Sequence, residues 1–287
     1  MNPKERLARD ATMAALRLRT SRNKALDVPI CPFDMAENLG VTVHLQALPS
    51  LEGMYTPNGP TIVVGGLRPP GRRAFTCAHE LGHHVLGHGV SFDELVQDTN
   101  ASGDRGMKEF AADRFAAALL MPKMAVQRAF SSRGWDPAHC TPQQVYVVAG
   151  YLGVGYTTLI GYLSRTLHLL SGADARTLEQ VRLPSIRAQL LGSSPTAGLL
   201  VVDLLWTARP VDVSTGDVVV LPANTSIEED GPLIIVEADD RVVIARAARA
   251  GIAAVSSRGW SAQVRVSRAD FGGLAIYRHL EDHEDEH

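Results

Sequence analysis

The sequence has no long apolar stretch. None of its 287 residues lies in an uninterrupted apolar run of ~18 residues, the length that a membrane-spanning helix needs. The first 24 residues alternate charged and apolar side chains and contain no small-residue cleavage site. They therefore predict an amphipathic helix rather than a signal peptide. We expect a cytoplasmic protein that does not enter a membrane.

Cysteine is scarce, and its positions suggest no pairing. Cys31, Cys77 and Cys140 are far apart and form no CxxC motif. This argues against a disulfide framework and against a cysteine-based zinc site, and it agrees with a reducing compartment. The formal net charge of −3 excludes a general polycation that would be drawn to nucleic acid or to an anionic membrane.

The order of the sequence patterns predicts an α+β fold in several parts. Two runs rich in β-branched residues, 41–48 and 60–66, predict strands, and residues 75–88 and 108–120 predict helices. From residue 196 onward, short strand-like runs alternate with turn residues. The predicted parts are a mixed domain at 1–135, a pair of short helices at 136–170, a linker at 171–195 and a small β-rich domain at 196–287.

The central motif is HELGH at residues 79–83. A helix turns about 100° per residue, so His83 lies about 40° from His79 and Glu80 about 100° from it. Two imidazoles therefore converge, with a carboxylate beside them, which is the arrangement that zinc hydrolases use. The same count places His84 and His88 at about 140° and 180°, where we expect packing or surface positions. By itself this short motif also occurs by chance.

A second helix supplies the missing ligand type. A catalytic zinc needs three protein ligands and one open position. Glu109 and Asp113 lie one turn apart in EFAAD, so Glu109 can coordinate and Asp113 can accept a hydrogen bond from a ligating histidine. The alternative is that both belong to the solvated face of an amphipathic helix. The apolar run that follows them, FAAALLM, favours a core helix instead.

Together the two motifs, AHELGHHVLGH and EFAADRFAAALLMP, resemble the ImmA/IrrE family of regulatory metallopeptidases. The resemblance covers residues from about 30 to 165 and is strong only at the motifs. It implies a gluzincin-like domain in which His79, His83 and Glu109 bind the metal and Glu80 is the general base. Position 113 is usually Asn in the family, and the Asp found here is typical of thermolysin-like gluzincins, so the supporting role is retained.

The resemblance also bears on the rest of the chain. It implies that the strand at 60–66 is an edge strand that pairs with an extended substrate. Residues 141–165 resemble the family's helix-turn-helix-like segment, but no Lys or Arg lies between Thr141 and Ser164. Direct DNA binding is therefore disfavoured relative to a pair of packing or partner-binding helices. For the β-rich region, a sensor function and a purely structural one stay open.

These observations predict a zinc metalloendopeptidase, with manganese as a second ion that fits the ligands. Tyr55 is a candidate for stabilising the oxyanion, and packing is the alternative. The family resemblance implies that the substrate is a helix-turn-helix repressor, cleaved to switch on a stress-response or mobile-element programme. The competing hypothesis is a catalytically silent, metal-containing binding or DNA-associated regulatory protein. The sequence sets no oligomeric state.

Overall fold

The computed structural model describes residues 2–94, 103–192, 197–207 and 209–280. Helices and sheets are both present, which confirms a mixed α and β protein. The chain divides into two compact units. The first contains residues 1–129, 152–154 and 272–276, and the second contains residues 130–151, 155–271 and 277–287.

The helices of the first unit include the two that the motifs predicted. Their bounds are α1 Pro3–Ser21, α2 Pro32–Glu37, α3 Pro70–Leu86, α4 Asp104–Leu120 and most of α5 Lys123–Ser131. Helix α1 begins at a capping box in which Asn2 and Glu5 bond each other's backbone. Helix α3 ends at Gly87, whose φ of 68° is the left-handed conformation that suits glycine at a helix end.

One sheet of the first unit lies beside α3. Its strands are β1 Thr42–Gln46, β2 Leu51–Thr56, β3 Thr61–Gly65, β4 Ser91–Glu94 and, from late in the chain, β13 Gly273–Leu274. In the described residues their order is β13-β1-β3-β2-β4. Strands β1 and β3 are parallel, and the other neighbours are antiparallel. A bulge between Leu51 and Gly53 interrupts the pairing of β2 with β4.

This order corrects one expectation. The strand predicted at 60–66 is β3, and it is an inner strand because β1 and β2 pair with its two sides. Its backbone groups are therefore already bonded, and it cannot receive a substrate strand. The outer strand on that side is β4, which pairs with β2. The sequence predicted neither β2 nor β4, although β2 separates β4 from β3.

Helices α3 and α4 pack closely against each other. Residues Cys77 to His83 of α3 are all buried, so this part of the helix is enclosed on every side. At Gly82, an added Cβ would lie 3.2 Å from Ala112 Cα and 3.1 Å from Phe115 Cδ1 of α4. These contacts are tighter than most that a Cβ makes, so the absence of a side chain at Gly82 favours the close approach of the two backbones.

A buried arginine holds the end of α4. Arg19 of α1 is fully buried and donates hydrogen bonds to the carbonyl oxygens of Leu119 and Ala25, both at 2.6 Å, and to that of Val28. The Leu119 carbonyl belongs to the last turn of α4, where helical partners are missing. Burial lowers the pKa of Arg19 to about 10, with Asp27 acting in the opposite direction.

The second unit combines four α-helices and the short 3-10 helix Pro137–His139 with two sheets in its described residues. The helices are α6 Pro142–Leu152 (without its last residue), α7 Tyr156–Arg165, α8 Gly172–Glu179 and α9 Leu183–Leu191. The strands are β5 Leu199–Val201, β6 Val211–Ser214, β7 Val218–Pro222, β8 Ser226–Ile227, β9 Leu233–Ala238, β10 Val242–Ala247, β11 Gly251–Ser257 and β12 Trp260–Ser267. They form sheets of order β5-β7-β10-β9 and β6-β12-β11-β8.

The pair of helices predicted within 136–170 is confirmed as α6 and α7. The segment predicted as a linker contains α8 and α9, and its residues 193–195 lie outside the described ranges. The predicted domain boundaries stay predictions. Two observations differ from them: the helical pair shares a unit with the strands, and β13 joins the sheet of the first unit.

Within the described ranges, no single helix is long and apolar enough to cross a membrane. Helices α6 and α7 meet the length and composition criteria only when they are joined across a bend of 100°.

Candidate metal centre

Three side chains from two helices meet at one point in the first unit. His79 and His83 come from α3 and Glu109 comes from α4, and one ligand atom of each lies within 4.8 Å of the others. His79 Nε2 lies 3.1 Å from His83 Nε2 and 3.1 Å from Glu109 Oε2, and His83 Nε2 lies 3.4 Å from Glu109 Oε2. The structure therefore brings together all three residues that the sequence predicted as ligands.

The size of this triangle fits a small tetrahedral ion. Zinc lies about 2.0–2.1 Å from imidazole nitrogen or carboxylate oxygen, so two ligand atoms at a tetrahedral angle are roughly 3.3 Å apart. The three observed separations are 3.1, 3.1 and 3.4 Å. Two imidazoles and one carboxylate also form the donor set of many catalytic zinc sites, which leaves a fourth position open.

The outer nitrogen of His79 has an anionic partner. His79 Nδ1 lies 2.9 Å from Asp113 Oδ1, one turn beyond Glu109 on α4. A carboxylate only accepts when ionised, so Nδ1 carries the proton and donates. The tautomer is inferred from this contact. His79 Nε2 then presents a lone pair to the centre, as a metal ligand must.

The outer nitrogen of His83 faces another histidine, His88, which the rotation of about 100° per residue had placed far from the centre. His88 Nδ1 lies 3.2 Å from His83 Nδ1. The angle of about 180° predicted for His88 applies only to a continuous helix. Because α3 ends at Gly87, the chain turns back and the backbone N–H of His88 donates to the His83 carbonyl at 3.0 Å.

The pairing with His88 also bears on protonation at the centre. Burial, followed by the nearby His83, lowers the pKa of His88 to about 4, so its ring is neutral at pH 7. A neutral imidazole can accept a hydrogen bond from His83 Nδ1. His83 Nε2 then also presents a lone pair, so two bare nitrogens and a carboxylate oxygen face one another. A cation satisfies such a triangle, whereas the three groups alone repel.

Glu80 is held beside this centre by the sheet. Its side chain is fully buried, and its Oε2 accepts a hydrogen bond from Ser91 Oγ at the start of β4. Gly53 of β2 lies so close that an added Cβ would be 2.4 Å from Glu80 Oε1. The sequence did not predict contributions from Ser91 or Gly53, since a contact between a helix and a non-local strand leaves no local pattern.

Tyr55 lies within β2 and is 4% exposed. Its hydroxyl is 2.8 Å from His84 Nδ1, and the two rings meet edge to face with centroids 5.5 Å apart. Burial raises the pKa of Tyr55 and lowers that of His84, so both are neutral near pH 7. Tyr55 and His84 thus form a pair next to the motif, and the predicted role in stabilising an oxyanion stays a prediction.

The charge of Glu109 suits a ligand. Burial alone raises the pKa of Glu109, but the neighbouring His79 and His83 rings outweigh burial and hold the pKa well below its usual range. Glu109 is therefore a carboxylate throughout the physiological pH range. Its side chain is 26% exposed, compared with 9% for His79 and 2% for His83, so the carboxylate is the most accessible of the three groups.

Comparison with known proteins identifies the family to which part of the chain belongs. Residues 24–159 match the model of peptidase family M78, described as the IrrE N-terminal-like domain. This part of the chain belongs to the ImmA/IrrE family of metallopeptidases, as the two motifs predicted. The activity class of the family is that of a peptidase, and the cluster of two histidines and one glutamate is consistent with a metal ion.

A solved structure described as a Mycobacterium tuberculosis transcriptional regulator also matches. It is 19% identical in sequence, the match covers 57% of this chain, and the TM-score is 0.37. The match spans 52% of that chain, about half of its length. No curated protein matches the sequence.

Proposed function

We propose that the chain is a zinc-dependent endopeptidase with a gluzincin-like site. The observation that supports this most directly is the triangle of His79, His83 and Glu109, whose dimensions match those of a tetrahedral zinc site. Manganese is a second ion compatible with these donors. A site with three protein ligands keeps one position for water or substrate, which is the property that separates catalytic from structural zinc sites.

The reaction is hydrolysis of a peptide bond. A bound zinc ion supplies Lewis acidity, which polarises the scissile carbonyl and makes water a stronger acid. The Glu80 carboxylate accepts a proton from the attacking water and later gives it to the leaving amine. The oxygen of water thereby becomes part of the new carboxyl group, and one of its protons goes to the new amine. The hydrogen bond from Ser91 orients one oxygen of Glu80 during both transfers.

We infer from the sheet order that the substrate binds to a different strand. An extended peptide would add along the outer side of β4, since that strand pairs with β2 on its inner side. Ser91 at the start of β4 bonds Glu80, so a peptide on this strand runs close to the base. Main-chain hydrogen bonds of this kind give affinity with modest sequence demands.

We further propose that the substrate is a cytoplasmic helix-turn-helix repressor, cleaved once to switch on a stress-response or mobile-element programme. Support comes from the family, and it rests on analogy rather than on particular residues. Specificity would then come from contacts outside the cleft. Helices α6 and α7 have no Lys or Arg between Thr141 and Ser164, so a protein partner suits them better than DNA.

The competing function is a catalytically silent binding module that keeps a metal. Glu80, a fully buried residue of the HELGH motif, argues against this function, because a purely structural metal site needs no base. The experiment that separates the two functions compares wild type with Glu80→Gln, and uses Glu37→Gln as the control. The control makes the same chemical change at an exposed residue of α2.

Each protein is incubated with candidate repressors and with unfolded casein, and the products are mapped by mass. We expect one cleavage in one repressor by wild type and by Glu37→Gln, and none by Glu80→Gln, with equal zinc content in all three. Cleavage by Glu80→Gln at the wild-type rate would refute the assignment of the base. Rapid digestion of casein with every repressor intact would refute the regulatory substrate and leave the zinc site in place.

A further inference from the structure

Strand β9 of the second unit is an edge strand with unusual exposure. In the described residues it is the last strand of the sheet β5-β7-β10-β9, so only β10 pairs with it. Ile234, Ile235 and Val236 are 49%, 49% and 62% exposed. Neighbouring side chains on a strand point to opposite faces, so both faces of β9 are uncovered as well as its outer edge.

Proteins usually protect such an edge. A long apolar edge strand invites pairing with other chains, and charged residues or bulges in the strand normally oppose this. Strand β9 has only Glu237 among its exposed central residues and a bulge opposite Ile244 and Ala245. Of the three successive large apolar side chains in the open, Ile234 and Ile235 precede that bulge and Val236 lies in it. An exposed apolar surface of this kind is typical of an interaction site.

The outer backbone groups can be assigned from the pairing with β10. The Ala248 N–H donates to the Pro232 carbonyl at 2.8 Å, and β9 and β10 are antiparallel. Bonded and non-bonded pairs alternate along such a ladder. Ile234 opposite Arg246 is therefore a bonded pair, and the backbone groups of Leu233 and Ile235 point to the outer edge. These groups can form the main-chain bonds of an added strand.

The charge around the strand selects the partner. Exposed carboxylates flank it on both sides, with Glu228, Glu229 and Asp230 before it and Glu237, Asp239 and Asp240 at its end. Residues 228–249 contain six carboxylates and three arginines, a net charge of −3. The acidic groups lie at the two ends of the apolar segment. An added strand with basic residues at both ends would complement them.

The same charges disfavour a second copy of this chain. If two copies of β9 paired antiparallel about Ile235, Asp230 of one copy would lie opposite Asp240 of the other. Shifting the centre to Ile234 places Glu229 opposite Asp239. By symmetry each contact occurs twice, and like charges directly opposite each other destabilise a strand pair.

We propose that the outer edge of β9 binds an extended segment of another protein, which adds to the sheet as a further strand. The segment has apolar side chains at its centre and basic side chains at both ends. Its backbone bonds the outer groups of Leu233 and Ile235, and its side chains cover the three exposed large apolar residues of β9. This binding does not depend on the metal centre, so it holds whether or not the proposed peptidase activity does.

The test uses two fluorescent peptides, KKTVTVTKK and its counterpart EETVTVTEE, and measures anisotropy with the full chain. The protein is the Glu80→Gln variant, so that the peptides stay intact. Ile235→Pro removes one outward N–H at an edge position where proline is tolerated. Ile235→Lys introduces a charge at the same place and covers the case in which the proline variant does not fold. Ile252→Lys is the control, since Ile252 is 47% exposed on β11 of the other sheet.

We expect the basic peptide to bind with saturation and to bind more weakly as salt rises. Its affinity should fall about tenfold or more in either Ile235 variant, because a backbone hydrogen bond and an apolar contact are lost. It should stay unchanged in Ile252→Lys. Absence of saturable binding, equal affinity for the acidic peptide, or an equal loss in the control would overturn the proposal. A dimer in sedimentation that Ile235→Lys abolishes would identify a second copy as the occupant instead.

Discussion

Replacing Gly53 with alanine would displace Glu80, the proposed general base, without touching a proposed metal ligand. An alanine Cβ at this position of β2 would lie 2.4 Å from Glu80 Oε1 and 2.6 Å from Thr76 Cγ2. Ordinary contacts begin at about 3.4 Å, so the carboxylate has to move by about 1 Å. A misplacement of this size in a reacting group can reduce turnover by about 100-fold.

The fold should survive the change. Overpacking costs about 1–3 kcal/mol, and replacing glycine inside a strand returns about 0.5–1 kcal/mol. The two atoms that must move, Glu80 Oε1 and Thr76 Cγ2, belong to side chains rather than to the backbone, so the sheet can keep its register. We therefore expect kcat/KM to fall by about 100-fold while zinc content and the pattern of secondary structure stay at wild-type values.

The assay measures cleavage of the substrate that wild type cuts, together with zinc by elemental analysis. Gly172→Ala is the control, since an added Cβ there meets nothing nearer than 3.7 Å. The double variant Gly53→Ala with Glu80→Gln tests whether the loss of activity arises from the displacement of Glu80. If Gly53 acts through Glu80, the second change adds little to the first, because the two share one function. Full activity of Gly53→Ala, or losses that multiply in the double variant, would refute this reasoning.

Three further outcomes follow from the same geometry. Glu109→Ala should remove most of the bound zinc, measured by elemental analysis after dialysis, and full occupancy would contradict its assignment as third ligand. Asp113→Ala and His88→Ala should each weaken zinc affinity or turnover by roughly 10–100-fold in competition with a chelator, and wild-type values in both would reduce them to packing residues. In the second unit, the Asp212 side chain is 23% exposed, and its partial burial raises its pKa, but hydrogen bonds from Arg265 outweigh this and lower the pKa to about 2 from 3.8. Ionised Asp212 therefore contributes about 2 kcal/mol to the free energy of unfolding. This contribution is complete above pH 4 and is lost as the pH falls from about 4 to 2. The difference in free energy of unfolding between wild type and Asp212→Asn, measured with urea, should decrease as the pH falls over that range. A constant difference would contradict this.

The sequence predicted the elements whose signals are local. HELGH and EFAAD placed the ligands on two helices, and α3 and α4 include both motifs. Thr141 and Pro142 correctly indicated the start of α6, where Thr141 Oγ1 accepts a hydrogen bond from the Gln144 N–H. In contrast, Pro184 was taken as part of a linker, although it lies in the first turn of α9, a position that proline favours.

What the sequence missed depends on long-range arrangement. The order of strands in a sheet is not contained in any one strand, so β3 was expected at an edge when it lies inside. Ser91 contacts Glu80 only because β4 returns to the sheet beside β2. His88 was placed by extending a helix past Gly87, where the backbone takes the left-handed conformation. Only the error at His88 came from assuming that a local geometry continued.

The glycine of HELGH, Gly82, has a consequence for ion choice. Because Gly82 lets α3 rest on the backbone of α4 at Ala112, the spacing of the two helices is set by atoms that cannot rotate away. Glu109 is on one helix and the two histidines are on the other, so that spacing also sets the bond lengths available to the ion. This contact therefore fixes the distance between α3 and α4. A bulkier residue at position 82 would increase that distance and shift the preference of the site toward ions of larger radius. Selectivity for the metal would then reside in a residue that never touches it.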